Sequence, residues 1–250
     1  MNGSRARGVF LAGTDTDVGK TRVAVGLIRA LTAQGWRACG MKPVASGAIS
    51  TEYGVINEDV DSIATASGRN SATAGDINPY CFEWPVSPHI GAERVGIVVD
   101  MGRIVTAYER LARDQDIVVV EGAGGWLAPI GPVATMADVA RALRLPVVLV
   151  VGLRLGCLNH ALLSAQAIAR AGATLAGWIG SAIDPAMPAQ IENVEALKQR
   201  LPAPQLGLLP FSREPEHDAA ALELAAHALM GPPVRPALLS GASSTPVRLP

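Results

Sequence analysis

The sequence has few cysteines and no long apolar run, and both absences narrow the class of protein. The three cysteines, Cys39, Cys81 and Cys157, lie far apart and form neither a CxxC nor a Cys/His pattern. The usual zinc and disulfide motifs are therefore excluded, and the reduced thiols of a cytoplasmic protein are favoured. No apolar run reaches the ~18 residues of a membrane-spanning helix, and the first residues lack the apolar core of a signal peptide. We expect a soluble, cytoplasmic protein without a membrane partner.

The chain also lacks an excess of charge of either sign. Its 21 basic and 22 acidic side chains leave a net charge of −1, and the basic residues form no block. A nucleic-acid partner is therefore not expected, and any phosphate binding must be local. Hydrophobic residues make up 49% of the 250 residues, enough for one large domain. We place this domain at residues 1–230 and a flexible Pro/Ser-rich tail at 231–250.

Apolar segments alternate with helix-like segments along most of the chain. The apolar segments are rich in Val, Ile and Leu, which is typical of strands covered on both faces of a parallel sheet. The alternation predicts an α/β fold with a mostly parallel, doubly wound sheet and helices on both faces. The predicted strands are 8–13, 37–44, 116–123, 146–153, 175–183 and 204–211, and the predicted helices are 20–34, 58–67, 103–113, 136–143, 157–171 and 188–200.

Residues 45–95 interrupt this alternation. They are rich in Gly, Ser, Thr, Asn and Pro, and they show no apolar period apart from the helix candidate at 58–67. Long irregular insertions in compact domains are usually functional. We expect polar loops in this insertion, including one at Ser87-Pro88-His89.

Residues 9–21, VFLAGTDTDVGKT, have the form of a phosphate-binding loop between a strand and a helix. Backbone N–H groups of such a loop surround polyphosphate oxygens, and the following helix directs its positive end towards them. Lys20 would contact the β and γ phosphates, and the Thr21 hydroxyl would bind Mg²⁺. Thr14 stands where the strict pattern has its first glycine. This loop predicts a single P-loop NTPase-like domain.

A lysine follows the second predicted strand, in Met41-Lys42-Pro43. At the carboxyl end of a parallel strand its ammonium would face the crevice where such folds bind ligands. The alternative is a solvated surface lysine, which is the usual position of this residue type. The sequence leaves both interpretations open.

Two acidic segments could supply oxygen ligands for Mg²⁺. Glu121 follows the apolar run DIVVV and precedes a glycine turn, where P-loop enzymes keep a metal-binding acid. Glu58, Asp59 and Asp61 lie in the insertion, and one of them could complete the shell, because Mg²⁺ usually takes one or two carboxylates. The alternatives are a simple strand-end acid and a helix-capping cluster.

A further candidate is the start of the helix predicted after residue 156. The free N–H groups of Gly156, Cys157, Leu158 and Asn159 could receive a substrate carboxylate. The nearby His160, like His89, belongs to no catalytic or metal-binding pattern that the sequence shows.

Together these segments closely resemble the ATP-dependent dethiobiotin synthetase family. The matching strings occur in the family's order and cover most of residues 8–211: GTDTDVGKT (13–21), KPVASG (42–47), NPY (78–80), SPHI (87–90), VEGAGGW (120–126), the segment 146–166 and LAGW (175–178). The resemblance implies that 7,8-diaminononanoate, CO₂ and MgATP are the substrates. One amine would capture CO₂ as a carbamate, ATP would phosphorylate the carbamate, and the second amine would close the ring.

The resemblance also implies roles for individual residues. Lys20 and Lys42 would be catalytic, Lys20 at the phosphates and Lys42 at the carbamate and the migrating phosphoryl group. Magnesium would be held by Thr21, Asp59 and Glu121. The nucleotide site would also include Asp17, Val18, Gly19, Arg22, Ser181 and Pro210. The diamine would contact Thr16 and Ser46, and its carboxylate would contact the helix start at Gly156, Cys157, Leu158 and Asn159, in this family from the second subunit of a homodimer.

One position departs from the family's pattern. Ser181 stands where the family often has an asparagine that contacts the adenine edge. A hydroxyl offers less to the base than the donor and acceptor of a carboxamide. We therefore expect looser selection of the base, with backbone groups of residues 207–211 as the remaining contacts.

Two other P-loop classes fit the sequence less well. Cobyrinate-amidating enzymes need a glutamine-hydrolysing domain, for which the chain has neither the length nor a suitable Cys/His pattern. Partitioning ATPases have a second lysine early in the loop, where this chain has Thr14 to Asp17.

Overall fold

A six-stranded parallel sheet forms the centre of the molecule. The computed structural model describes residues 7–51, 54–70, 75–212 and 218–231. Within these ranges the strands are β1 (Arg7–Gly13), β2 (Ala38–Met41), β3 (Val44–Ser46), β4 (Ile49–Thr51), β5 (Gly54–Ile56), β6 (Tyr80–Phe82), β7 (Ile117–Gly125), β8 (Val147–Leu153), β9 (Leu175–Ala182) and β10 (Gln205–Leu209). The central sheet has the order β10-β9-β8-β1-β7-β2, and every neighbouring pair is parallel.

Helices flank this sheet and bury it. The helices within the described ranges are α1 (Lys20–Ala33), α2 (Glu58–Ala66), α3 (Pro88–Arg94), α4 (Met101–Ala112), α5 (Met136–Leu143), α6 (Cys157–Arg170), α7 (Gln190–Arg200), α8 (Asp218–Ala221) and α9 (Glu223–Met230). All seven residues of β8 are buried. Because successive side chains of a strand point to opposite faces, this strand is covered on both sides. The predicted α/β fold with a parallel sheet is confirmed.

The insertion at 45–95 is more regular than we expected. β3 and β6 form a parallel pair, and β4 and β5 form an antiparallel pair. Each of these strands has only three residues, too few to produce a visible apolar period. The prediction of a polar loop at Ser87-Pro88-His89 is wrong in part, since Ser87 is the N-cap of α3 and Pro88 is its first residue.

The C-terminal part of the domain contains two helices that the apolar pattern did not predict, α8 and α9. The proposed tail at 231–250 lies outside the described residues apart from Gly231. None of the helices within the described ranges has the length and apolar character that crossing a bilayer requires. The cysteines are all free thiols, as their spacing predicted.

A close approach at Gly40 fixes the position of α2 relative to the sheet. A Cβ atom at Gly40, in β2, would lie 2.4 Å from Cγ2 of Ile63 in α2 and 2.8 Å from Cδ1 of Ile28 in α1. Both isoleucines are fully buried, so neither can move aside freely. The missing side chain of Gly40 therefore lets α2 pack directly on the strand.

Gly40→Ala should destabilise the protein, because the added methyl group must push Ile63 and α2 outwards. The expected loss in the free energy of unfolding is about 1–3 kcal/mol, measured by urea denaturation. Gly131→Ala is the matched control, since among the described residues no heavy atom beyond its chain neighbours lies within 4 Å of the Cβ atom it would add. A similar loss in both variants would contradict this account of the packing.

Candidate active site

Neighbouring strands bring the predicted site residues together. β1, β7 and β2 lie side by side, and the loop of residues 14–19 follows β1. Leu11 of β1 pairs with Glu121 of β7, and Met41 of β2 pairs with Val120. Lys42, the next residue after Met41, therefore lies at the level of Glu121. This is the edge of the sheet where doubly wound folds bind their ligands.

The loop between β1 and α1 is held in an unusual backbone conformation. Asp17 has a φ of 56° and Gly19 a φ of 86°, both in the left-handed region. Because α1 begins at Lys20, its first N–H groups open onto this loop. The Lys20 ammonium donates to the carbonyl oxygen of Asp15 at 2.8 Å. Burial lowers the pKa of Lys20 from its usual value, although the carboxylate of Glu121 opposes the shift.

Lys42 is the cation of an ionic cluster in which Lys42 and Glu121 are buried and the Asp59 side chain is 43% exposed. Its Nζ atom lies 2.5 Å from Oδ2 of Asp59 and 2.6 Å from Oε1 of Glu121. Lys42 is 5% exposed and Glu121 is fully buried. Burial acts to lower the pKa of Lys42, but Glu121 and Asp59 overcome this effect and raise the pKa above its usual value. The interpretation of Lys42 as a surface lysine is therefore wrong, and the crevice interpretation is supported.

Three oxygen atoms converge next to this cluster. The Thr21 hydroxyl lies 2.8 Å from Oδ1 of Asp59 and 2.9 Å from Oε1 of Glu121. A single hydroxyl proton cannot make two full hydrogen bonds to two carboxylates. Oε2 of Glu121 is buried and has no hydrogen-bond partner among the described residues. Hard oxygen ligands with unused lone pairs are the set that Mg²⁺ prefers, so these residues fit the metal that the family implies.

These groups line one open cleft of about 860 Å³. The cleft includes the two buried lysines, both carboxylates and Thr21. The same cleft is lined by residues that the resemblance assigned to the nucleotide, Asp17, Gly19 and Arg22, and to the diamine, Thr16 and Ser46. The Ser46 hydroxyl is buried without a hydrogen-bond partner in the described part of the chain, and such atoms are often satisfied by a ligand or water.

The remaining predicted site residues lie away from the cleft lining. Val18 belongs to the loop and its side chain is buried, and Ser181 is fully buried, with its Oγ 2.5 Å from where a Cβ atom on Gly19 would stand. Pro210 follows β10, and the segment from Gly156 to Asn159 forms the start of α6. The structure does not bring that helix start to the cleft of its own chain.

Some cleft residues had no role in the sequence-based prediction. Residues 85–88 contribute to the cleft wall, although SPHI was recognised only as a matching string. Asp15 holds Lys20 through its carbonyl oxygen, and its carboxylate forms an ion pair with Arg154 at 2.6 Å. A pair separated by 139 residues leaves no local pattern in the sequence.

Arg22 joins the phosphate-binding helix to the C-terminal part of the domain. Its Nε and Nη2 atoms donate to the two carboxylate oxygens of Asp218, at 2.9 and 2.6 Å. It also approaches the carbonyl oxygen of Pro210 at 3.4 Å. The guanidinium is therefore engaged within the protein, and nucleotide contact by Arg22 stays a prediction.

Comparisons with known proteins agree with this geometry. A family model described as an AAA domain matches residues 7–217. The ATP-dependent dethiobiotin synthetase of Aromatoleum aromaticum is 49% identical over 222 residues, which cover 87% of this chain and 97% of that protein. The corresponding synthetase of Nitrosospira multiformis is 48% identical, over 86% of this chain and 92% of that protein. The chain belongs to the dethiobiotin synthetase family. It is therefore an enzyme of the ligase class, as the sequence predicted.

Solved structures extend the comparison to the fold. A chain of the MinC:MinD cell division complex of Aquifex aeolicus aligns with a TM-score of 0.55 and 14% identity, over 98% of this chain and 99% of that one. MinD from the same organism aligns with a TM-score of 0.54 and 13% identity, over 90% and 97%. At such low identity the likeness concerns the fold alone. It confirms the predicted P-loop NTPase-like architecture for this member of the dethiobiotin synthetase family.

Arg22→Met should destabilise the domain, because it leaves the carboxylate of Asp218 buried without its cation. We expect a loss of about 2–4 kcal/mol in the free energy of unfolding, measured by urea denaturation at neutral pH. Arg110→Met is the control, since it breaks the exposed Arg110–Asp76 pair and should cost less than about 1 kcal/mol. If both variants lost less than 1 kcal/mol, the Arg22–Asp218 link would not hold the helices as described.

Proposed function

We propose that the protein makes dethiobiotin from 7,8-diaminononanoate, CO₂ and ATP, with Mg²⁺ bound. The observation that carries this proposal is the convergence of Lys20, Lys42, Thr21, Asp59 and Glu121 in one cleft of a chain that belongs to this family. One amine takes up CO₂, loses a proton and becomes a carbamate. A carbamate oxygen accepts the γ-phosphoryl group, and ADP leaves. The second amine then attacks the carbonyl carbon, and the new C–N bond forms as phosphate departs.

The loop and helix α1 bind the phosphates of ATP in this proposal. The left-handed residues Asp17 and Gly19 shape the loop, and no side chain of the described residues caps the N–H groups at the start of α1, which can donate to phosphate oxygens. Lys20 adds a buried positive charge at the same end of the helix. A site prepared in this way needs little reorganisation when charge develops in the transition state.

The diamine and its carbamate, which accepts the phosphoryl group, would contact Lys42, Ser46, Thr16 and Asp17. Carbamate and γ-phosphate are both anionic, so their approach needs a cation between them, and Lys42 is buried in the same cleft. Thr21, Asp59 and Glu121 would hold the metal, which when bound neutralises the β and γ phosphate oxygens. Catalysis would then be mostly positioning and charge stabilisation, without a covalent enzyme intermediate.

We also propose a homodimer in which the start of α6 serves the partner's cleft. Gly156, whose φ is 94°, precedes α6, and no side chain of the described residues caps this helix start. The N–H group of Cys157 donates to the carbonyl oxygen of Arg154 at 3.0 Å, so the later N–H groups are the ones proposed to receive the carboxylate. They do not line the cleft of their own chain. Leu155, which precedes Gly156, is 86% exposed in the single chain. A large apolar side chain with this exposure is typical of a residue that a partner subunit covers. Free thiols agree with a cytoplasmic location for this assembly.

The purified protein should release phosphate from ATP only when the diamine and bicarbonate are both present, and dethiobiotin should appear in equal amount. A coupled phosphate assay together with mass spectrometry of the product measures both quantities. Diamine-independent ATP hydrolysis without any dethiobiotin would rule the proposal out.

The two buried lysines should give different kinetic losses. Lys42→Ala should lower kcat by about 10²–10³-fold and keep ATP binding, because it removes charge at the reacting centre. Lys20→Ala should also weaken ATP binding, by about tenfold or more, because Lys20 contacts the phosphates. Steady-state kinetics and calorimetric titration with ATP separate the two effects. Near wild-type turnover in Lys42→Ala would show that Lys42 has no catalytic role.

Base selection should be loose, because Ser181 is buried under Gly19 and offers the base no carboxamide. We expect kcat/KM for ATP, CTP and GTP to agree within about 10²-fold, since strong rejection needs a site built to hydrogen-bond the base. Ser181→Ala should leave these ratios unchanged. A preference for ATP far above that range, lost in Ser181→Ala, would show that the hydroxyl does read the base.

A further inference from the structure

We propose that Lys42 is an internal competitor of the divalent cation, because its ammonium neutralises the same two carboxylates that the metal would use. This inference rests on the proposed use of Asp59 and Glu121 as metal ligands. It goes further, since it makes the protein a poor metal binder until a nucleotide arrives.

The contacts of Lys42 define the competition. Its ammonium bonds one oxygen of Asp59 and one of Glu121, at 2.5 and 2.6 Å. The Glu121 oxygen that it contacts, Oε1, is also the one that lies 2.9 Å from the Thr21 hydroxyl. A magnesium ion binds oxygen at about 2.0–2.1 Å, so a metal on Oε1 would meet the ammonium across a single shared atom. Two cations so close repel each other strongly where water is excluded.

The charge balance of the cleft leads to the same conclusion. Lys20, Arg22 and Lys42 carry three positive charges, and Asp17, Asp59 and Glu121 carry three negative ones, so the charged residues that line the cleft are already neutral together. A divalent cation alone would leave a double positive charge in a largely buried place. A triphosphate supplies the missing negative charge. The metal should therefore bind well only together with the nucleotide, while Lys42 gives up its carboxylates and turns to the new anion.

Lys20 offers a matched comparison in the same cleft. It is 6% exposed against 5% for Lys42, so both ammonium groups are buried to the same degree. Its ammonium donates to the carbonyl oxygen of Asp15, whereas that of Lys42 donates to two carboxylates. Removing either charge makes the cleft less positive, but only the loss of Lys42 frees the oxygens of Asp59 and Glu121.

The test is Mn²⁺ binding to the nucleotide-free protein, followed by electron paramagnetic resonance of the free ion. Lys42→Met should bind Mn²⁺ at least about tenfold more tightly than the wild type, a gain of about 1.4 kcal/mol. Lys20→Met should give a clearly smaller gain, because it removes a nearby positive charge without freeing an oxygen of Asp59 or Glu121. Lys42→Arg should bind as weakly as the wild type, since it keeps the competing cation.

Several outcomes would overturn the inference. Equal gains in Lys42→Met and Lys20→Met would show a general field effect, and no gain in Lys42→Met would show that Lys42 does not compete. The tighter Mn²⁺ binding of Lys42→Met should also disappear in the double variant Lys42→Met/Glu121→Gln. If it persists, the ion does not bind at Glu121, and the inference is wrong. Lys42→Gln, which keeps a hydrogen-bond donor without charge, replaces Lys42→Met if that variant does not fold. The titration contains neither diamine nor ATP, so its result does not depend on whether the protein makes dethiobiotin.

Discussion

The buried contact between Lys42, Asp59 and Glu121 is the constraint on which the arrangement of the site depends. Removing an ion from water costs several kcal/mol, and a buried ion pair is tolerated only when each charge has a partner at close range. Each charge comes from a different element: Glu121 lies in β7, Lys42 follows β2, and Asp59 lies in the first turn of α2. An error in the order of the strands would leave Lys42 and Glu121 buried without each other, and a displaced α2 would remove the second carboxylate from Lys42.

The insertion has a structural role in meeting this constraint. Asn57 accepts a hydrogen bond from the N–H group of Val60 and so caps α2, the helix that carries Asp59. The same side chain donates to the carbonyl oxygen of Ser46 at 3.1 Å. One buried amide thus links the helix that carries Asp59 to strand β3, which ends at the substrate candidate Ser46. Since Gly40 also lets α2 pack tightly on β2, Asp59 has little freedom to move away from Lys42.

The sequence was sufficient for features that depend on local or periodic patterns. The six long strands, the phosphate-binding loop and most helices follow from apolar runs and glycine positions. It was insufficient where contacts join distant residues: Lys42 reaches Glu121 across 79 residues, and Arg22 reaches Asp218 across 196. For that reason the residues alone could not distinguish a surface from a buried Lys42. The three-residue strands β3 to β6 were missed because a strand so short has no measurable period.

Two buried polar atoms in the cleft have no partner from the protein. Among the described residues, seven buried side-chain atoms lack a hydrogen-bond partner, and three of them, on Ser46, Glu121 and Ser181, belong to predicted site residues. A buried polar atom without any partner costs about 1–3 kcal/mol, so such atoms are normally satisfied by a ligand or water. For Ser46 and Glu121, which line the cleft, ligands can supply the missing partners. Ser181 differs, because its hydroxyl lies directly behind Gly19 and is fully buried. This close approach argues for packing under the loop rather than for contact with a base.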